Sequence, residues 1–227
     1  MLDRLRRRTP DPPGFDPNRI PAKPRETTVD ADDGPVRCHA VGSPDGRWTL
    51  AYGRRVDGTG SVAFRLRDGE IVDRFEATRP AAGAVGDDGT VALVERLGSN
   101  TTATRLRAFV DGRETLVRTV DATVSGVVVA SDGELVAVTT RRPDASVHAY
   151  DPGTGEVAWT VTPRRATPLS LGFHADGDRS LLYVAREPRD DPYLAIDADG
   201  EVVWGSERYR STQPFSARVR GWFDRGE

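Results

Sequence analysis

Ser43-Pro44-Asp45-Gly46, followed by the apolar run Trp48–Tyr52, is the stretch that decides the fold. Its Asp-Gly returns in Asp87-Asp88-Gly89, Ser131-Asp132-Gly133 and Ala175-Asp176-Gly177, and the four glycines stand 43, 44 and 44 residues apart. Glycine takes positive φ without steric cost, and aspartate hydrogen-bonds its own backbone two residues on. Asp-Gly between apolar runs therefore predicts a tight turn. A second marker follows each first one at a nearly constant offset: Asp68-Gly69, Asp111-Gly112, Thr154-Gly155 and Asp199-Gly200. Between markers lie short alternating or β-branched runs. In the first unit these are Cys38–Val41, Trp48–Tyr52, Ser61–Leu66 and Glu70–Phe75, and the next three units repeat the pattern. Four strands per unit, joined by tight turns, make an antiparallel meander.

A unit of this size cannot bury both faces of its sheet alone, so neighbouring units must stack face to face. Radial stacking gives an all-β propeller of four four-stranded antiparallel blades. Two assemblies satisfy this: a closed four-blade ring, or an open half-ring that pairs with a second copy as an eight-blade homodimer. The period sets the domain boundaries. Residues 1–34 are rich in proline and charge and read as a disordered tail. The propeller domain covers 35–209. Residues 210–227 form a basic tail in which Phe215, Trp222 and Phe223 alternate with Arg218, Arg220 and Arg225.

The turn and strand pattern resembles known propeller repeats. Ser43-Pro44-Asp45-Gly46 with Trp48–Tyr52, and Phe173-His174-Ala175-Asp176-Gly177, look like the junction between the first two strands of WD-repeat blades. Asp57, Asp144 and Asp191 fall where such repeats carry a turn aspartate before the third strand. The runs from Ala149 to Trp159 and from Ala195 to Trp204 are more similar to quinoprotein-type blades, in which the strand ends in a tryptophan that packs between blades. The resemblance covers about residues 36–209 and implies architecture rather than activity, since propellers host many unrelated roles.

Composition narrows the function classes. A formal charge of −3 is not that of a general nucleic-acid binder, and Cys38, the only cysteine, excludes an intrachain disulfide and argues against a cysteine zinc site. Met1–Arg8 carries the arginines of an export signal without the apolar stretch that should follow, and no run is long enough to span a membrane, so a cytoplasmic location is expected. His39, His148 and His174 occupy different places in the repeat and set up no metal spacing. Asp30-Ala31-Asp32-Asp33-Gly34 and Asp197-Ala198-Asp199-Gly200-Glu201 resemble fragments of calcium loops but read better as turns. No phosphate loop or nucleophile elbow is present. The sequence points to no cofactor, no metal and no catalytic residue.

A meander places its turns on two sides. The Asp-Gly turns share one side. On the other, arginine follows the second strand of every unit: Arg54 and Arg55, Arg96, Arg141 and Arg142, and Arg186. The links between units add Arg79, Arg164 and Arg165. One face is then acidic and the other arginine-rich, and the arginine fork suits carboxylate and phosphate. The function expected is a non-catalytic scaffold that binds a macromolecular partner, first a protein, through the arginine face and the terminal tails. Alternatives are a small-molecule or sugar-binding propeller with lyase or hydrolase activity, and a nucleic-acid-associated accessory protein. The competing expectation is that loop acids such as Asp57, Asp144, Asp190 and Asp191 neutralise these arginines.

Overall fold

A computed structural model describes residues 24–163, 170–176, 179–185, 192–206 and 209. The first sheet contains β1 (Arg25–Ala31), β2 (Gly34–Gly42), β3 (Trp48–Arg55), β4 (Ser61–Arg67) and β5 (Glu70–Ala77). The second holds β6 (Pro80–Val85), β7 (Val91–Arg96), β8 (Thr104–Val110) and β9 (Arg113–Val120). In the third are β10 (Val124–Val129), β11 (Val136–Thr140), β12 (Val147–Tyr150) and β13 (Val157–Val161). The fourth has β14 (Ser170–Asp176), β15 (Arg179–Ala185), β16 (Leu194–Ile196) and β17 (Val202–Gly205). Every sheet is an antiparallel meander in chain order, so the fold is the β-propeller type that the repeat predicts.

Turn chemistry accounts for the regularity. Both residues of Asp68-Gly69 and Asp111-Gly112 have positive φ, which is the two-residue hairpin geometry that matches strand twist. In all four sheets the register of the last two strands slips once just before this turn, between Arg65 and Leu66, Ala108 and Phe109, Ala149 and Tyr150, and Ala195 and Ile196. Such bulges sharpen the local twist, and here they recur at one place in each blade.

The core lies between sheets. Leu50, Tyr52 and Phe75 of the first blade meet Val85, Leu93 and Phe109 of the second, with Phe75 and Phe109 stacked at 4.0 Å. Leu106 and Leu116 pack on Val129, Val136 and Tyr150, and Val128 and Val147 pack on Leu171, Leu182 and Ile196. Each such side chain stabilises the stack by roughly 1.5–3 kcal/mol. Burial also acts on two titratable groups here, holding the Tyr52 hydroxyl up at about 12 and the Cys38 thiol at about 11.

Two expectations need correction. The closed four-blade ring is not formed: the sheets are not closed, and among the described residues no apolar cluster joins the first blade to the fourth. The tail expected over 1–34 also ends too late, because β1 begins at Arg25 and pairs with β2 over seven residues without a register shift. Averaging over a proline-rich, charged segment hid the β-branched Thr27-Thr28-Val29, and Asp32-Asp33 is the two-residue hairpin turn, leading into Gly34 at φ 109°. Residues 1–23 and 210–227 lie outside the described residues.

This extra strand has a packing role. Val29 and Ala31 join Ala40 and Leu66 against Val36, Cys38, Ala51, Val62 and Phe64, on the face of the first sheet that turns away from the second. Asp33 in the hairpin turn is bonded to Arg55 at 2.5 Å and Arg74 at 2.7 Å, which ties the hairpin across β3 and β5. Both arginines hold its carboxyl below the usual range.

Candidate functional site

Each blade has a turn end and an arginine end, and the two treat charge differently. At the turn end most of the described aspartates are engaged in the fold, among them Asp45, Asp87, Asp88, Asp132, Asp151 and Asp197. Asp88 accepts from the Thr90 amide at 2.9 Å and its hydroxyl at 2.6 Å, and Asp132 accepts from the Glu134 amide at 3.1 Å. Asp87 accepts from the Asp45 amide at 2.8 Å, while its own amide donates to the Ser131 carbonyl at 3.0 Å, so adjacent blades are stitched through their turns. Burial, together with the Asp45 charge, pushes the Asp87 carboxyl up. Asp45 moves the other way, held down by the Ser43 hydroxyl and by Arg47.

A second set of ties runs from outer strands to the next blade's glycine turns. Arg65 donates to the Gly89 carbonyl at 2.9 Å and pairs with Asp73 at 2.6 Å. Arg118 donates to the Gly155 carbonyl at 2.9 Å, and Trp159 Nε1 donates to the Ala198 carbonyl at 2.8 Å. The Trp48 ring lies on Gly89 and the Trp159 ring on Gly200, where an added Cβ would come within 2.8 Å and 2.6 Å of ring carbons. Trp159 therefore packs between blades as the quinoprotein-type pattern implies.

The arginine end is organised otherwise. Arg54, Arg79, Arg96, Arg141 and Arg142 are exposed, and none has an ion-pair partner among the described residues. The acids expected to neutralise them are occupied. Asp57 accepts from the Thr59 amide at 2.9 Å and its hydroxyl at 2.7 Å. Asp144 accepts from Thr140 Oγ1 at 2.7 Å and Ser146 Oγ at 2.8 Å, and meets His148 Nε2 at 2.6 Å. Burial alone would raise Asp144, but the bonds from His148, Thr140 and Ser146 outweigh it and hold the carboxyl low. Arg55 differs from its neighbours because Asp33 binds it. Arg164, Arg165 and Arg186, with Asp190 and Asp191, lie outside the described residues.

Like charges also stand side by side here. Arg37 is the cross-strand partner of Arg54 in the β2–β3 register, and both are exposed. The Arg96 amide donates to the Arg79 carbonyl at 3.1 Å, and Arg79 adopts φ 51°, a conformation unfavourable for a side chain of this size. Opposed like charges destabilise a sheet.

A family model described as outer membrane protein assembly factor BamB matches residues 58–221, most of the chain. The chain belongs to that family. Among solved structures it is similar to BamB from Moraxella catarrhalis, at 16% identity and a TM-score of 0.45, over 82% of this chain and 51% of that one. The chain thus spans about half the length of that structure. No curated protein matches it.

The family match begins at residue 58, beyond Arg37 and Arg54. Arg37 was missed by repeat phase because it lies at the start of a first strand, and only the β2–β3 register brings it to Arg54. Glu95 was missed too. It is 1% exposed at the arginine end, accepts from the Thr78 amide at 2.7 Å, and is flanked by Arg107 at 3.2 Å and Arg105 at 3.7 Å. The histidines stay in separate blades: His39 near Tyr52, His148 on Asp144, and His174 buried edge-on to Tyr183 at 5.2 Å. Among the described residues no group of three or more metal-ligating side chains occurs. Among the described residues no helix is long and apolar enough to cross a membrane.

Proposed function

We propose that this chain is a protein-interaction scaffold whose arginine end docks an acidic surface of a partner protein. The observation that carries the reading is the unneutralised cluster: Arg37 opposite Arg54, Arg79 beside Arg96, and Arg141 next to Arg142, while nearby acids serve their own turns. Holding like charges together costs stability, and a carboxylate-rich partner surface relieves that cost through forked arginine pairs. The family description, an assembly factor for outer membrane proteins, is that of a protein that acts on other proteins and supports the same reading.

The test compares the wild-type chain with the triple variant Arg54→Glu, Arg96→Glu, Arg141→Glu in quantitative pulldowns from lysate with and without nuclease treatment, with thermal melts in parallel. The expected result is loss of bound protein in the variant with a Tm that is equal or slightly raised, since Arg54→Glu sets an opposite charge against Arg37. Equal recovery by both proteins removes the arginine end as the docking face. Recovery that disappears with nuclease moves the function to nucleic acid, whose binding would also fall steeply with salt.

A further inference from the structure

The first sheet differs from the others by β1, and β1 has one unused edge. Its inner edge pairs with β2 in seven consecutive positions, whereas among the described residues nothing pairs with the other edge. Such a row of open backbone amides and carbonyls is a template for another strand. Proteins normally blunt it with proline, a bulge, a very short strand or charged side chains. β1 uses only the last, Arg25, Glu26 and Asp30, which select among partners by charge. Arg25–Ala31 has no proline and no bulge, runs for seven residues, and most of its residues are exposed.

The edge faces space. A cavity of about 1450 Å³ is lined by β1, by the first strands of all four blades, and by Leu66 and Ile71. That exceeds the roughly 300–1,000 Å³ usual for small-molecule sites. Seven residues of strand span about 23 Å, so the volume and the edge suit a chain segment better than a compact ligand. The lining is acidic: Glu26, Asp30, Asp45, Glu70 and Asp87 stand against a single arginine, Arg25. Glu26 and Asp30 share one face of β1 with Thr28, and neither is in an ion pair among the described residues. Thr27 and Val29 lie on the opposite face, with Cys38 and Val36 as their cross-strand partners.

We propose that the free edge of β1 takes an extended basic peptide of a partner protein as a sixth strand of the first sheet. Main-chain bonds supply the affinity, and alternating side chains supply the selection. Residues of the peptide on the Glu26–Asp30 side are arginine or lysine, and those between them are small or apolar. A second copy of this chain is disfavoured as the occupant, because antiparallel self-pairing about Thr28 would set Glu26 against Asp30 of the other copy. The site rests on different observations from the arginine end and is opposite to it in charge, and the two meet at Arg37, the cross-strand partner of Thr28.

The probe is a fluorescein-labelled synthetic heptapeptide alternating arginine and valine, titrated into the full chain by anisotropy. Hydrogen exchange is followed over residues 25–31. Saturable binding with new amide protection across β1 is expected. N-methylating either all the arginine or all the valine amides should weaken binding roughly tenfold or more for at least one of the two patterns, since one row of bonds is lost. The double variant Glu26→Lys, Asp30→Lys should weaken it by a similar factor, and an alternating glutamate–valine peptide should not bind. The proposal falls if no saturable binding occurs, if protection appears elsewhere, or if both methylated peptides bind like the parent. The methylation series uses the wild-type chain, so it decides the matter even if the double variant folds poorly.

Discussion

The two ends of the blades are built from the same residue types and use them in opposite ways. At the turn end, aspartates are many, and Asp45, Asp87, Asp88, Asp132, Asp151 and Asp197 are bonded to backbone amides or hydroxyls of their own or the next blade. At the arginine end, arginines are many and most are exposed without an ion partner among the described residues. The lesson is that a polarised disc need not have two functional faces. Charge spent on turns is architecture, and charge left unpaired is available for binding. Each end also holds one buried countercharge that belongs to the fold: Arg65 among the aspartates and Glu95 among the arginines.

Those two residues give the sharpest break. Glu95→Ala removes the acceptor of the Thr78 amide and leaves Arg107 short of a partner, and Arg65→Ala leaves Asp73 and the Gly89 carbonyl without their donor. Each should cost about 3–5 kcal/mol in urea unfolding, as expected when one member of a buried pair is deleted. Arg54→Ala and Arg96→Ala should stay within about 0.5 kcal/mol of wild type, as surface substitutions do. Comparable losses at all four positions would erase the distinction between structural and available charge.

A smaller contrast lies within the turn end. Gly89 and Gly46 both have positive φ, at 89° and 77°, but only Gly89 carries the Trp48 ring, and a Cβ at Gly46 would meet nothing within 4 Å. Gly46→Ala should cost about 1–2 kcal/mol from backbone strain alone. Gly89→Ala adds overpacking of about 1–3 kcal/mol and displaces a ring that also stacks under Arg65 and Arg67. Equal losses would mean that the tryptophan does not lock adjacent blades.

The repeat was readable because turn chemistry is local. Asp-Gly needs no tertiary context to announce a hairpin, and sixteen of the seventeen strands fall where the markers and the alternating runs put them. β1 escaped because its seven residues carry one valine and one alanine, and its reason for being a strand is the sheet that β2 offers it. The arginines show a second limit. Arg54 and Arg65 are identical in type and eleven positions apart, yet one is exposed and the other is 8% exposed by side chain. Both lie on the face turned to the second blade, Arg65 opposite Leu50 and Arg54 two residues beyond Tyr52. Place along the strand decides this: Arg65 reaches the Gly89 carbonyl of the second blade and Arg54 stands near the strand's end, a non-local fact that composition does not carry. Arg37 joined the cluster for the same reason.

The finest comparison sets one carboxylate from each end against the other by pH. Asp87, at the turn end, has its pKa raised by burial and by the Asp45 charge, so its ionised form opposes folding. That opposition is full at neutral pH, shrinks as pH falls through the raised value, and is gone below the unfolded value of about 3.9. Asp87→Asn keeps an acceptor for the Asp45 amide, and should raise Tm by about 1–2 °C at pH 7 and by nothing at pH 3. Asp144, near the arginine end, is held low by His148, Thr140 and Ser146 despite its burial, so its ionised form favours folding. That contribution is full above the unfolded value and is lost as pH falls through the lowered one. Asp144→Asn should therefore lower Tm by about 1–3 °C at pH 7, with the deficit narrowing on acidification. Melts of both variants between pH 3 and pH 7 should converge on the wild type from opposite sides. Curves that shift in the same direction would show that the two ends do not partition their charges as the hydrogen bonds indicate.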